Sequence, residues 1–287
     1  SIRIKNKMKK KISCHIITYN QKDYIKDCIE GVLMQKVNFS MEIIIGDDNS
    51  TDGTREILKD YAKKYPDLIR LNLREVRGSG IPGKDNFVST LEMCNGEYVS
   101  LCDGDDYWTD SLKLQKQVDF LEANPEYVLC FHQVDLLQEG KVKEDNMTAK
   151  VSETTTINDL AKGNYIHTCS VVYRNNLFSE LPKYFSESPV GDYFLHLLNA
   201  RYGSIKYIAE IMGVYRVHGT SVWSSKSQQD QIDLWVPFLE NIKPNFSSEK
   251  KNKLNSKIAF YTKPIKTEKK VWNLRNIKNK IIQKLKR

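Results

Sequence analysis

Apolar residues fall into short, near-continuous runs, separated by stretches in which they recur every three or four positions. Lys11–Thr18, Met41–Gly46, Ile69–Leu73, the run beginning at Tyr98 and Tyr127–Leu137 are short and bounded by polar or Gly-containing segments, which predicts strands. A run such as Met41-Glu42-Ile43-Ile44-Ile45-Gly46 suits a parallel strand covered on both faces. Between these runs, Ile25, Cys28, Ile29, Val32 and Leu33 mark a helix over Asp23–Met34. Asp52-Gly53-Thr54 opens a second helix through Tyr61, and Asn86–Met93 reads as a third. Leu112, Leu114, Val118 and Leu121 mark a fourth over Thr109–Ala123, stopped by Asn124-Pro125. Strands alternating with helices predict an α/β protein with a mostly parallel sheet flanked by helices. Gly78–Gly83 and Gly140–Thr156 read as loops, Thr168–Tyr173 as a strand, Gly191–Tyr202 as a helix and Ser204–Arg216 as strand-rich; beyond Ser224 the chain reads as helical and polar.

Charge changes this picture at one end. The chain of 287 residues carries a net +8, but Lys243–Arg287 holds 15 Lys and Arg against two Glu, a balance of +13 that leaves −5 for the rest. Such asymmetry points to an anionic partner for the tail. Within it Val271, Leu274, Ile277, Ile281, Ile282 and Leu285 recur at helical spacing among Lys and Arg. Two readings stay open: a basic amphipathic helix over Val271–Arg287 lying on an anionic membrane surface, or a helix docked on the main domain with a solvated Lys face. No run approaches the ~20 apolar residues that span a bilayer, and the Lys-rich start is not followed by an apolar signal core. Six cysteines without Cys-x-x-Cys spacing, several inside apolar runs, predict reduced, buried thiols in a cytoplasmic protein.

The chemistry concentrates in Leu101-Cys102-Asp103-Gly104-Asp105-Asp106-Tyr107-Trp108. An apolar strand ending in clustered acids places them at the carboxyl edge of a sheet, where open α/β folds bind ligands. Carboxylates this close repel one another unless they are solvated or neutralised by a hard cation such as Mg²⁺ or Mn²⁺, which takes protein carboxylates together with substrate phosphates. A solvated loop is the simpler alternative, with Asp106 or Asp110 capping the helix that follows.

Four segments taken in order resemble the family 2 glycosyltransferases of GT-A fold: Ile16-Ile17-Thr18-Tyr19-Asn20, Ile45-Gly46-Asp47-Asp48-Asn49-Ser50-Thr51-Asp52-Gly53-Thr54, Gly96-Glu97-Tyr98-Val99 and Asp103-Gly104-Asp105-Asp106. The resemblance runs from about Ile12 to Trp223. It implies a GT-A domain over residues 8–224 followed by a basic helical extension over 225–287. It also implies an inverting transfer of a sugar from a nucleotide-diphosphate donor, UDP-linked by preference, to a glycan or lipid-linked acceptor, assisted by Mn²⁺ or Mg²⁺.

The resemblance assigns residues as follows. Thr18, Tyr19 and Asn20 would contact the donor nucleotide, and Asp48 would accept from a uracil N–H. The D-x-D motif falls on Asp103 and Asp105: Asp105 would bind the metal, and Asp103 the ribose or a metal-bound water. Asp192, in Gly191-Asp192-Tyr193, falls where the family places its general base; many relatives show Glu-Asp there, and Glu187 is the next carboxylate upstream. Tyr215-Arg216-Val217-His218 matches an R-x-H pattern. His218 would complete the metal or diphosphate site, and Arg216 would either neutralise phosphate or pair with a core carboxylate. Where many relatives carry Ala-Arg-Asn for the diphosphate, this chain reads Gly83-Lys84-Asp85-Asn86, so Lys84 would supply the charge without the bidentate fork of Arg.

Competing readings explain less. A nucleotidyltransferase would carry a basic, Gly-rich phosphate loop near the first strand, which Ile17-Thr18-Tyr19-Asn20-Gln21 is not. A nucleotide-sugar-binding protein without transfer activity shares the motifs. A nucleic-acid-binding protein using the basic tail leaves the acidic clusters unexplained, so no nucleic-acid partner is expected.

Overall fold

A computed structural model describes residues 10–242 apart from 79, 149 and 219–226. The helix read over Val271–Arg287 lies outside the described residues.

The elements in chain order are β1 (Ile12–Thr18), α1 (Ile25–Leu33), β2 (Met41–Asp47), α2 (Thr54–Lys64), β3 (Ile69–Leu73), α3 (Lys84–Leu91), β4 (Tyr98–Asp103), β5 (Tyr107–Trp108), α4 (Lys113–Ala123), β6 (Tyr127–Gln138), β7 (Lys141–Glu144), β8 (Thr154–Thr155), α5 (Ile157–Leu160), β9 (Val172–Arg174), α6 (Gly191–Asn199), β10 (Ser204–Val217) and α7 (Gln228–Ile242).

The near-continuous apolar runs form strands because both faces of the sheet are covered. On one face Ile12, Cys14 and Ile16 of β1 pack with Ile25, Cys28, Ile29 and Val32 of α1 and with Leu114, Val118 and Leu121 of α4. On the other face Ile44 of β2 and Val99 and Leu101 of β4 pack with Phe87 of α3, with Tyr193, Phe194 and Leu198 of α6, and with Trp235 and Phe238 of α7. The period-2 alternation of a strand sends neighbouring residues into opposite layers, so continuous hydrophobicity is what such a strand requires. Trp235 and Phe238, which fall in the expected C-terminal extension, therefore belong to this core.

The sheet order is β3-β2-β1-β4-β9-β6-β10-β5. The first four strands are parallel and are connected through helices. Beyond β4 the sheet is mixed. Short β9 runs antiparallel between β4 and β6, β6 and β10 are parallel, and β5 is antiparallel to the end of β10. From β1 the chain steps to β2 and β3 on one side and then crosses to β4 on the other. The crevice at the carboxyl ends of β1 and β4 is thus a topological switch point, the place where such sheets bind ligands.

Boundaries differ from expectation where tertiary pairing overrides the local pattern. The helix expected from Thr109 begins at Lys113, because Tyr107 and Trp108 pair with Val214 and Gly213 of β10. Asp110 caps the turn before that helix, accepting from the Leu112 N–H at 2.7 Å. Thr168–Ser170 forms a 3₁₀ turn ahead of β9, and the loop read at Gly140–Thr156 holds the short strands β7 and β8, paired to β6 and β10. All six cysteines are buried and free, as expected.

Gly96, in the Gly-Glu-Tyr segment entering β4, is dictated by close approach. A Cβ there would lie 2.5 Å from the Ser13 nitrogen and 2.7 Å from the Ile12 carbonyl carbon, both backbone atoms of β1. Gly96→Ala is expected to destabilise the fold by about 1–3 kcal/mol, the usual scale of overpacking. Gly80→Ala, with nothing within 4 Å of the new Cβ, is expected to change stability little. Urea denaturation of the two variants checks this, and equal midpoints would contradict it.

Candidate active site

The strand ends at the switch point deliver the acids. Asp103 is the last residue of β4, and the turn after it is closed by the Asp106 N–H bonding to the Asp103 carbonyl at 3.0 Å. One carboxylate oxygen from each of Asp103, Asp105 and Asp106 lies within 4.8 Å of the others. Asp106 is fully buried. Its Oδ1 accepts the Arg216 backbone N–H at 2.8 Å, while its Oδ2 has no hydrogen-bond partner. Burial, reinforced by the neighbouring carboxylates, pushes the acid groups of Asp103 and Asp106 well above the ordinary carboxylate range. An all-oxygen donor set with an orphaned buried carboxylate oxygen fits a hard divalent cation. Asp106 is therefore a member of the acid cluster and not the helix cap.

The β5–β10 ladder brings the end of β10 back to this cluster. His218 Nε2 lies 2.8 Å from Asp105 Oδ2, and the imidazole stacks on Tyr24 with ring centroids 5.1 Å apart. Arg216 points elsewhere. Its guanidinium pairs with the Asp27 carboxylate of α1 and donates to the Asp105 carbonyl at 2.7 Å, between the rings of Tyr24 and Tyr107. The structure shows Arg216 paired with a carboxylate, but with the exposed Asp27 and not with one in the core.

One cleft of about 830 Å³ runs from Asp48 and Arg77, past Asp103 and Asp105, to Asp192 and Trp235. At its first end Asp48 is buried and lies 3.1 Å from Arg74 Nε and 3.8 Å from Arg77 Nε. The Arg77 guanidinium carbon sits 3.7 Å from the Tyr19 ring centroid. Thr18 and Asn20 line the same end. The Thr18 hydroxyl donates to Gln21 Oε1 at 2.8 Å. Asn20 adopts φ 50° and accepts the Thr51 N–H on Oδ1 at 2.8 Å, so its side chain ties the β1–α1 loop to the β2–α2 loop. Arg74 and Arg77 were not among the residues singled out by sequence. The available signal was a pair of arginines directly after β3, at the same carboxyl edge.

At the other end Asp192 stands in the first turn of α6, where a carboxylate also complements the helix dipole. Its Oδ2 accepts the Thr168 hydroxyl at 2.5 Å, and its Oδ1 accepts the Tyr193 N–H at 2.7 Å. Like Asp192, Thr168 also lies near enough to Asp103 to influence its acid group. No sequence motif marked it. Glu187 turns away and accepts from Asn241 of α7 at 3.1 Å. Lys84 is buried beside this end, and its Nζ donates to Ser188 Oγ at 2.6 Å. Burial pushes its ammonium down to about 8, against the opposing pull of the Asp192 charge.

A raised carboxylate pKa in the fold means that native stability falls as pH rises from the ordinary value of 3.8 toward the raised one. Asp106→Asn keeps an acceptor for the Arg216 N–H and removes that penalty. Without metal, the variant is expected to melt above the parent by a margin that widens as pH rises from 3.8 toward the raised value. With Mn²⁺ the parent is expected to gain several degrees, since ligand at ~100 Kd adds about 2.7 kcal/mol, and the variant to gain far less. Thermal denaturation over pH and Mn²⁺ checks both; equal Mn²⁺ responses would exclude Asp106 from the cation site.

Residues 13–181 match the family described as Glycosyl transferase family 2. An uncharacterized Mycobacterium tuberculosis protein, Rv1520, is 38% identical over 221 residues, covering 76% of this chain and 62% of the relative. The chain therefore spans less than two thirds of that relative's length. Among solved structures, Staphylococcus aureus TarS 1-349 in complex with UDP-GlcNAc is similar with a TM-score of 0.64 at 20% identity, over 88% of this chain and 71% of that one. The mannosyltransferase PcManGT of Pyrobaculum calidifontis, in complex with GDP-Man and Mn²⁺, gives a TM-score of 0.64 at 15% identity over 88% and 70%. These structural likenesses show a shared fold. The family match, taken with the sheet order and the acid cluster ending β4, establishes that this chain belongs to glycosyl transferase family 2 and has the GT-A fold.

Proposed function

We propose that the cleft binds a nucleoside-diphosphate sugar with Mn²⁺ or Mg²⁺ and transfers the sugar, with inversion, to a hydroxyl of a glycan or lipid-linked acceptor. The observation that carries this reading is one cleft lined by Asp103 and Asp105 of the acid cluster and by Asp192 at the start of α6. Asp105, Asp103 and Asp106 would hold the cation, with His218 at its margin through Asp105; an imidazole neighbour favours Mn²⁺ over Mg²⁺. When bound, the cation stabilises charge on the departing diphosphate.

The remaining steps belong to side chains. Tyr19, Thr18 and Asn20 frame the nucleotide end, and Asp48 accepts from the base. An acceptor at this position, flanked by Arg74 and Arg77, favours uracil and so a UDP-sugar. Asp192 accepts the acceptor hydroxyl's proton as that oxygen attacks the anomeric carbon. Attack opposite the leaving diphosphate inverts the configuration. The catalytic unit is residues 8–224, with α7 of the 225–287 extension closing the cleft through Gln231 and Trp235. Among the described residues no helix is long and apolar enough to cross a membrane. The basic residues of 243–287 would hold the protein peripherally at an anionic, cytoplasmic membrane face.

The nearest supports are the two similar structures, one holding UDP-GlcNAc and the other GDP-Man with Mn²⁺. The test is calorimetric titration of UDP, GDP, CDP and dTDP, each with Mn²⁺ and with EDTA. Metal-dependent binding of UDP is the expected result, and binding of none of the four would overturn the reading. Asp105→Ala is expected to abolish the metal dependence. Asp192→Asn is expected to bind nucleotide like the parent and to lose about 10²–10⁴-fold in turnover, measured as nucleoside diphosphate released from the donor.

A further inference from the structure

The sequence pattern places Lys84 at the donor's diphosphate, yet its surroundings tie it to the element that carries Asp192. Lys84 is the first residue of α3 and is 4% exposed. Its ammonium donates to Ser188 Oγ at 2.6 Å and lies 5.0 Å from the Phe185 ring centroid. Ser188 is fully buried, and its hydroxyl lies 2.8 Å from the Phe185 carbonyl and 3.0 Å from the Val190 carbonyl. Val190 caps α6, two residues before Asp192. The same contact is tight one turn along α3: a Cβ on Gly191 would lie 3.0 Å from Cδ1 of Phe87. The start of α6 is therefore seated on α3 at both Lys84 and Gly191.

The charges at the donor end are supplied separately. Arg74 and Arg77 flank Asp48, and Arg77 is about half exposed. Asp85, beside Lys84 in sequence, faces that end through Arg74 at 3.6 Å. Lys84 borders the cleft, but its ammonium is committed to a buried hydroxyl, whereas diphosphate recognition relies on accessible donors.

We propose that Lys84, acting through Ser188, is a positioning residue for Asp192 and not a ligand of the diphosphate. The buried Lys84–Ser188 bond holds the 183–190 segment, and with it the first turn of α6, so that the Asp192 carboxylate faces the acceptor's attacking oxygen. A misplacement of ~1 Å at a reacting group costs up to about 10²-fold in rate. This assignment rests on the transferase reading above.

The experiment compares Lys84→Met, Ser188→Ala and the double variant in the full chain. Two quantities are measured: the Kd of UDP with Mn²⁺ by calorimetry, and kcat for nucleoside diphosphate release from a panel of UDP- and GDP-sugars. The expected result is a UDP Kd within about twofold of the parent in all three. In the same variants kcat is expected to fall about ten- to a hundredfold in Lys84→Met and in the same direction in Ser188→Ala. The double variant is expected to be no worse than Lys84→Met, because the two residues act as one unit. A UDP Kd weakened tenfold or more in Lys84→Met, with Ser188→Ala indistinguishable from the parent, would overturn the assignment and return Lys84 to the diphosphate. If Lys84→Met does not fold, Ser188→Ala decides alone: it retains the ammonium, so only the positioning role predicts a loss of kcat at unchanged Kd. A parent protein that binds none of the nucleotides and releases none from the donors defeats the transferase reading itself. That outcome is distinct from a parent that binds and turns over while the variants lose affinity.

Discussion

Negative charge gathered at one edge of the sheet is the constraint around which this protein is arranged. Three carboxylates lie within 4.8 Å of one another at the end of β4, and Asp192 is close enough to raise the Asp103 acid further. Such groups lose more solvation by burial than any protein hydrogen bond restores. The fold meets the problem with local partners. The Arg216 backbone N–H serves Asp106, His218 serves Asp105, and Thr168 serves Asp192. What these partners leave unmet, an orphaned Asp106 oxygen and raised carboxyl groups, is compatible with a divalent cation at this edge.

Topology makes that gathering possible. The parallel half-sheet creates a switch point between β1 and β4, so the loops after β1, β2 and β4 open on the same crevice. The mixed half then returns the chain to it. The antiparallel pairing of β5 with β10 carries Arg216 and His218 back over a sequence separation of more than a hundred residues. The α3–α6 contact seats Asp192 opposite. Lys84 and Gly191 both lie on that one contact. A small residue at 191 lets Phe87 close against α6, and a lysine at 84 reaches the hydroxyl that the segment before α6 presents.

The readable part of the site was the part carried by contiguous residues. Asp103-Gly104-Asp105-Asp106 announces itself because one strand ends in acids, and Asp48 and Tyr19 likewise follow strand ends. Residues whose roles depend on partners far along the chain were invisible or misread. Thr168 is an ordinary threonine until the 3₁₀ turn brings it to Asp192, and Arg74 and Arg77 look like solvated surface charges until Asp48 is found between them. Arg216 matched a motif, yet its guanidinium is held by Asp27, a residue of α1 that nothing in the motif indicates.

The sequence by itself determined the alternation of strands and helices, the parallel core layered on both faces and the placement of acids at strand ends. Each follows from local periodicity and from the chemistry of a few adjacent residues. Tertiary structure alone decided the mixed half of the sheet, the start of α4 at Lys113, the burial of Lys84 and the bond of Thr168 to Asp192. The physical reason is range. Periodicity reports which face of an element is buried, whereas the partner of a buried charge is chosen by pairings between strands and helices that lie distant in the chain.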